Sequence, residues 1–233
     1  MDLVLPVALA AALALSLNMA RAEPRATQLI VVAPHAVAGP RATMRAYERD
    51  ATGPWREVGA AAPVVGGAKG FAPAWRDMRR TLAAKPGRRR FLKREGDKRT
   101  PLGLFTVGRP FGFAPDPRQG YLQLRAGETF CIDDPASPQY GVIVGAGDRR
   151  KAGSAEDMGA EPLYRSGFVV DYSANGARRG GSCIFLHIWR KPGAGTAGCV
   201  AMSGENMARL QAWLRPGALI LITARPEEAL SRL

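Results

Sequence analysis

The 233 residues predict a mainly β domain, a sandwich or a partly closed barrel, on three observations. Most of the chain divides into short runs rich in β-branched or aromatic residues that stop at Gly, Pro or Asp. Only two segments carry a helical pattern. No internal repeat and no Ser/Pro linker interrupts residues 25–225, so one core is expected.

The elements follow in order. Leu3 to Leu17 is apolar except at Pro6 and Ser16 and ends near Ala20-Arg21-Ala22, a small-x-small cleavage pattern. Residues 1–22 therefore read as a secretory signal peptide and 23–233 as a single mature domain. The run is shorter than the roughly 20 apolar residues of a membrane span, so no stable span is expected after cleavage. Gln28–Ala33 is the first expected strand, Thr43–Tyr47 the second, and Trp55–Val58 with Pro63–Val65 the next pair. Ala74–Lys85 is helical in pattern and stops at Pro86-Gly87. Residues 88–94 hold five positive charges in seven, expected as a solvated loop or strand edge. Gly103–Val107, Tyr121–Arg125, Thr129–Ile132, Tyr164–Asp171 and Cys183–Ile188 are further strands, with Asp148–Glu161 as a loop. Ser203 is placed to cap a helix that carries Met207, Leu210 and Leu214 on one face. Ala218–Thr223 is the last strand.

Composition narrows the function. Lys and Arg outnumber Asp and Glu by 33 to 20, a net charge of +13 that favours anionic partners. Export and the absence of a nucleic-acid motif argue against nucleic acid. Three cysteines, two histidines and no C-x-x-C pair argue against a structural zinc site, and no metal or other cofactor is expected. Cys131 and Cys183 could pair in an oxidising compartment, leaving Cys199 free, or could both be buried fillers.

Gly181 to Ser203 carries the chemistry. His187 ends an apolar run, and Cys199 follows it by twelve residues across a Pro/Gly-rich turn. A thiol, with an ordinary pKa of about 8.5, needs a base to become a nucleophile, and histidine titrates in the useful range. Thr196-Ala197-Gly198 keep the backbone bare beside the thiol, so the N–H groups of Ala197, Gly198 and Cys199 are candidate oxyanion donors. His35 has no evident partner and reads as structural. Gly193, Gly195 and Gly198 match G-x-G-x-x-G, but the sequence after them shows no second strand ending in an acid, which argues against a dinucleotide site. Papain-type chemistry would place Cys before His, at a helix start. Asp133, Asp134 and Asp171 are open as partners that could orient His187.

The run HIWRKPGAGTAGCVAM resembles the catalytic motif of L,D-transpeptidases: Thr196, Gly198 and Cys199 match its Ser/Thr-x-Gly-Cys segment and His187 its upstream base. KREGDKRTPLGLF (Lys93–Phe105), CIDDPASPQY and GSCIFLHI resemble further blocks of one bacterial branch. The resemblance implies an L,D-transpeptidase-like β-sandwich with one or two short helices and a periplasmic enzyme acting on peptidoglycan stem peptides. It also implies a Cys199 thioester, His187 as general base, and Thr196 on the substrate side. The commoner motif has His where Ala197 stands and Arg or Asn where Ala201 stands, and its His-to-Cys loop is longer. These differences leave three readings open: transpeptidation, hydrolysis as an L,D-carboxypeptidase or amidase, and a non-catalytic peptidoglycan-binding module.

Overall fold

The computed structural model describes residues 26–50, 53–74, 92–172, 180–215 and 217–233. The strands are β1 (Gln28–Pro34), β2 (Arg41–Glu48), β3 (Arg56–Val65), β4 (Phe71–Pro73), β5 (Thr100–Gly112), β6 (Leu122–Gln123), β7 (Thr129–Cys131), β8 (Ile143–Gly145), β9 (Glu156–Asp157), β10 (Ser166–Val170), β11 (Phe185–Ile188), β12 (Val200–Met202) and β13 (Leu219–Ile222). Among the described residues three short helices accompany them: α1 (Ala146–Arg149), α2 (Gly204–Trp213) and α3 (Pro226–Leu230).

The main sheet runs β10-β11-β12-β3-β2-β1-β13-β5-β4, and β10 also pairs with β5. That extra pairing brings the circuit back on itself, so the sandwich is joined along one side into a barrel-like wall. A small antiparallel sheet, β8-β7-β9, stands outside it. One cluster fills the space enclosed by the main sheet: Ile30, Val32, Met44, Val64, Phe105, Phe168, Leu186, Val200, Met202 and Ile220, with Met207 and Leu210 of α2 packed on them. Each such side chain contributes roughly 1.5–3 kcal/mol by leaving water. β1 is apolar at successive positions because both its faces are covered. Ile30 and Val32 join the first cluster, while Leu29 and Val31 pack with Leu221, Trp55 and Leu230.

The expected strands appear with altered limits. Trp55–Val58 and Pro63–Val65 are not a pair of strands but parts of one, β3. Gly59, at φ +69°, lies where its register against β2 shifts. Pro63 is tolerated because only Val64 and Val65 of β3 pair with β12. The segment expected as a loop, Asp148–Glu161, contains β9, which pairs with β7. β4, β8 and α3 carried too little pattern to be expected. α2 starts where the cap predicts, with Ser203 Oγ accepting the Asn206 N–H at 3.1 Å. The signal segment, and the expected helix beyond Ala74, lie outside the described residues.

Candidate active site

His187 and Cys199 reach one face of the sheet through the pairing of β11 with β12. The two strands are parallel, with His187 beside Ala201. Cys199 is two residues before Ala201 and so shares its face, roughly 7 Å along the strand from the level of His187. Leu186, Ile188, Val200 and Met202 point the other way, into the main core. Both side chains are buried, His187 with 5% and Cys199 with 6% exposure.

The loop before Cys199 is held by its own threonine and by one from a distant strand. Thr196 Oγ1 donates to the Cys199 carbonyl at 2.7 Å and accepts the Gly198 N–H at 3.0 Å. Thr100, at the start of β5 and fully buried, donates its hydroxyl to the same carbonyl at 3.2 Å and accepts the Gly67 N–H at 2.8 Å. The loop is further stitched to residues 66–68 by Thr196 N–H to Gly66 O (2.9 Å) and Ala68 N–H to Thr196 O (2.8 Å). Gly195 is required here: a Cβ on it would lie 2.4 Å from Ala68 Cα. Thr196 thus turns its hydroxyl inward, and the Gly198 N–H is already engaged. Ala197 is exposed at the rim.

Backbone groups hold both side chains. His187 Nδ1 lies 2.9 Å from the Ile188 carbonyl oxygen, so Nδ1 carries the hydrogen and Nε2 the basic lone pair. Burial lowers the imidazole's pKa, which keeps the ring neutral at pH 7. Burial, reinforced by the charge of Glu156, pushes the Cys199 thiol up to about 12. The resting sulfur is therefore a thiol. It donates to Cys183 O at 3.5 Å and accepts from the Phe185 N–H at 3.4 Å. Among the described residues the carbonyl of Ile188, and none of Asp133, Asp134 or Asp171, orients His187. Asp134 instead caps a turn through the Ala136 and Gly153 N–H groups. His35 pairs with Thr43 Oγ1, away from the site.

The sequence left the Cys131–Cys183 pairing open and assigned no role to Lys93, Glu95 or Ser182. Cys131 and Cys183 form a disulfide, which ties β7 to the segment leading into β11. Lys93 is 2% exposed; its Nζ donates to Asp97 Oδ1 (2.8 Å) and to Arg94 O (2.6 Å). A Cβ on Gly181 would lie 2.9 Å from Lys93 Nζ, and one on Gly198 would lie 3.7 Å from Lys93 Cε. Glu95 Oε2 accepts from Tyr140 and from Ser182 Oγ (2.7 Å). The KREGD block that carried the resemblance therefore packs beside the loop that leads into Cys199. The resemblance of Lys93–Phe105 to a family block was the signal that marked this stretch in the sequence. Among the described residues no group of His, Cys, Asp and Glu is arranged to hold a metal ion.

A family model described as the L,D-transpeptidase catalytic domain (YkuD) matches residues 64–222. That interval contains β4 to β13 and every side chain placed at the site above. A search of curated proteins finds no match.

Proposed function

The chain belongs to the L,D-transpeptidase catalytic-domain family, and we propose that it cross-links peptidoglycan stem peptides through a Cys199 thioester with His187 as general base. The observation that carries this reading is the pairing of His187 with Ala201. It sets a base with a free Nε2 and a thiol on one face of adjacent strands. In the first half-reaction the Cys199 S–H proton passes to His187 Nε2 and the sulfur attacks the carbonyl of the third residue of a donor tetrapeptide. The oxyanion that forms is met by N–H groups of the Ala197–Cys199 loop. Ala197 and Cys199 are the freer donors, since the Gly198 N–H is held by Thr196. The C–N bond then breaks, and His187 returns the proton to the departing D-alanine amine. In the second half-reaction the side-chain amine of an acceptor stem attacks the thioester, gives a proton to His187, and the thiol is regenerated from that proton. Attack by water in its place makes the enzyme an L,D-carboxypeptidase. In both cases Thr196 acts on the substrate side by shaping the loop.

We further propose that residues 1–22 direct export and that the mature protein works in the periplasm. The Cys131–Cys183 disulfide supports an oxidising compartment. The net charge of +13 would draw the protein to the free carboxylates of the stems, an attraction that salt weakens.

Residues 23–233 incubated with purified disaccharide-tetrapeptide, beside Cys199→Ala, test the reading by mass spectrometry. Cross-linked dimers lacking one D-alanine and absent from the variant are expected. Tripeptide monomers alone would replace transpeptidation with hydrolysis. The absence of both products, or their persistence in Cys199→Ala, would overturn Cys199 as the nucleophile for these stems.

A further inference from the structure

A polar pair stands beside the thiol that the two half-reactions do not use. Tyr164 closes the 3-10 turn Pro162–Tyr164 and is 5% exposed. Its ring makes edge contacts with His187 (5.1 Å between centroids), Phe185 (5.3 Å) and Phe111 (5.8 Å). It shares a cluster with Cys199. Phe185 in turn gives its N–H to the Cys199 sulfur. One phenol therefore borders both reactive groups. Its O–H donates to Glu156 Oε1 at 2.8 Å, and Glu156 sits on β9 opposite Cys131 of the disulfide.

Packing alone explains the ring and leaves the hydroxyl and the carboxylate unexplained. A phenylalanine would fill the same space without bringing a half-buried acid into the cluster. The acid is poorly placed for a nucleophile, because a carboxylate beside the thiol opposes a second negative charge there. Glu161, Asp133 and Glu95 add negative charge on the same side, and Lys93 is the cation that faces it.

We propose that Tyr164 is a positioning residue whose hydroxyl exchanges between the Glu156 carboxylate and the Cys199 sulfur, holding a thiol at rest and supporting the thiolate once His187 has taken its proton. In the resting arrangement the phenol proton belongs to the Tyr164–Glu156 hydrogen bond. When the S–H proton moves to His187 Nε2, the phenol O–H turns to the sulfur; the O–H bond of Tyr164 stays intact and only its acceptor changes. Directions of proton affinity agree. Burial and the Glu156 charge raise the thiol, while the Phe185 N–H, the Tyr164 hydroxyl and Lys93 act the other way. Burial likewise raises the Glu156 carboxyl, which the Tyr164 hydrogen bond partly offsets.

The inference rests on Cys199 as nucleophile but not on the identity of the substrate. Cys199 is the free cysteine, so alkylation by iodoacetamide reports it alone. The rate is followed from about pH 7 to about pH 9.5, where thiolate limits reaction. Tyr164→Phe is expected to be alkylated about tenfold more slowly at each pH, and Glu156→Gln about tenfold faster, one pH unit of displacement in opposite directions. A packing role would move both variants the same way, by loosening the cluster. Shifts of the same sign, or no shift in Glu156→Gln with an unchanged thermal melt, would overturn the proposal. If Tyr164→Phe does not fold, an unmoved Glu156→Gln profile still overturns the proposal. Opposite shifts in a protein that turns over no stem peptide would uphold the proposal and count against the peptidoglycan reading alone. Turnover with unmoved alkylation profiles would do the reverse.

Discussion

Removing the Cys131–Cys183 disulfide should damage both the stability and the reactivity of this protein. The bond closes a segment of 52 residues. Constraining a loop of that length in the unfolded chain is worth about 4 kcal/mol in the chain-entropy treatment. For a domain of this size that corresponds to a fall in Tm of about 8–16 °C. The local effect comes from Cys183 itself, a non-glycine residue held at φ +53°. Such a conformation costs on the order of 1 kcal/mol or more and persists only where its surroundings impose it. Its carbonyl receives the Cys199 S–H, and Phe185, two residues on, donates to the sulfur. Freed from Cys131, this segment can relax and leave the thiol without its two backbone partners. The test is Cys131→Ala/Cys183→Ala, which avoids a reductant that would also reach Cys199. Thermal melts by circular dichroism and the alkylation rate of Cys199 are compared with the parent. A melt within about 2 °C of the parent would refute the loop-constraint reasoning. An unchanged alkylation rate would refute the claim that Cys183 holds the thiol in place.

The other predictions concern the base and the loop. His187→Gln should lower kcat by about 10²–10⁴-fold in a steady-state assay on tetrapeptide, with the fold intact by circular dichroism. Because burial holds the His187 pKa below its ordinary 6.5, the acid limb of the parent's kcat profile should lie below pH 6.5. The same depression means that the folded protein binds this proton less readily than the unfolded chain. The stability it contributes is complete above pH 6.5 and is lost as pH falls through the folded value, which denaturation at graded pH would record. Thr100→Val leaves the Gly67 N–H without its buried acceptor, at about 1–3 kcal/mol. It also frees the Cys199 carbonyl from one of its two donors. Urea melts should show the loss, and kcat should fall although Thr100 touches no substrate. Gly195→Ala drives a methyl into Ala68 Cα at 2.4 Å and should cost about 1–3 kcal/mol with a misplaced loop. Full activity in Gly195→Ala would show that the loop's approach to residues 66–68 is dispensable.

Much of the local structure was legible along the chain. QLIVVA, ALILIT and the Ser203 cap each carry their signal within a few residues, and β1, β13 and α2 form there. That His187 and Cys199 come to adjacent strands was also legible, since they flank one Gly-rich turn. Where local patterns failed, a partner outside the segment was responsible. β4 has three residues and exists because Phe71–Pro73 lies along Thr100–Leu102. β9 has two and exists because it lies along β7. β3 runs on through Pro63 because β2 supplies its ladder on the other side.

By itself the sequence determined the mainly β class, the order of most strands, the turn between His187 and Cys199, and the family blocks around them. These rest on backbone preferences and alternation of side chains, which are set over a few neighbouring residues. Only the tertiary structure decided that β10 meets β5 to close the circuit, that Cys131 pairs with Cys183, and that Thr100 grips the Cys199 carbonyl. It also decided that Lys93 is buried beside the loop leading into Cys199 and that Tyr164 bonds Glu156 while its ring packs on His187. Each of these joins residues tens of positions apart. Their contact is selected by the packing and hydrogen bonding of the whole core against the entropy of closing long loops, a balance that no local stretch of chain contains.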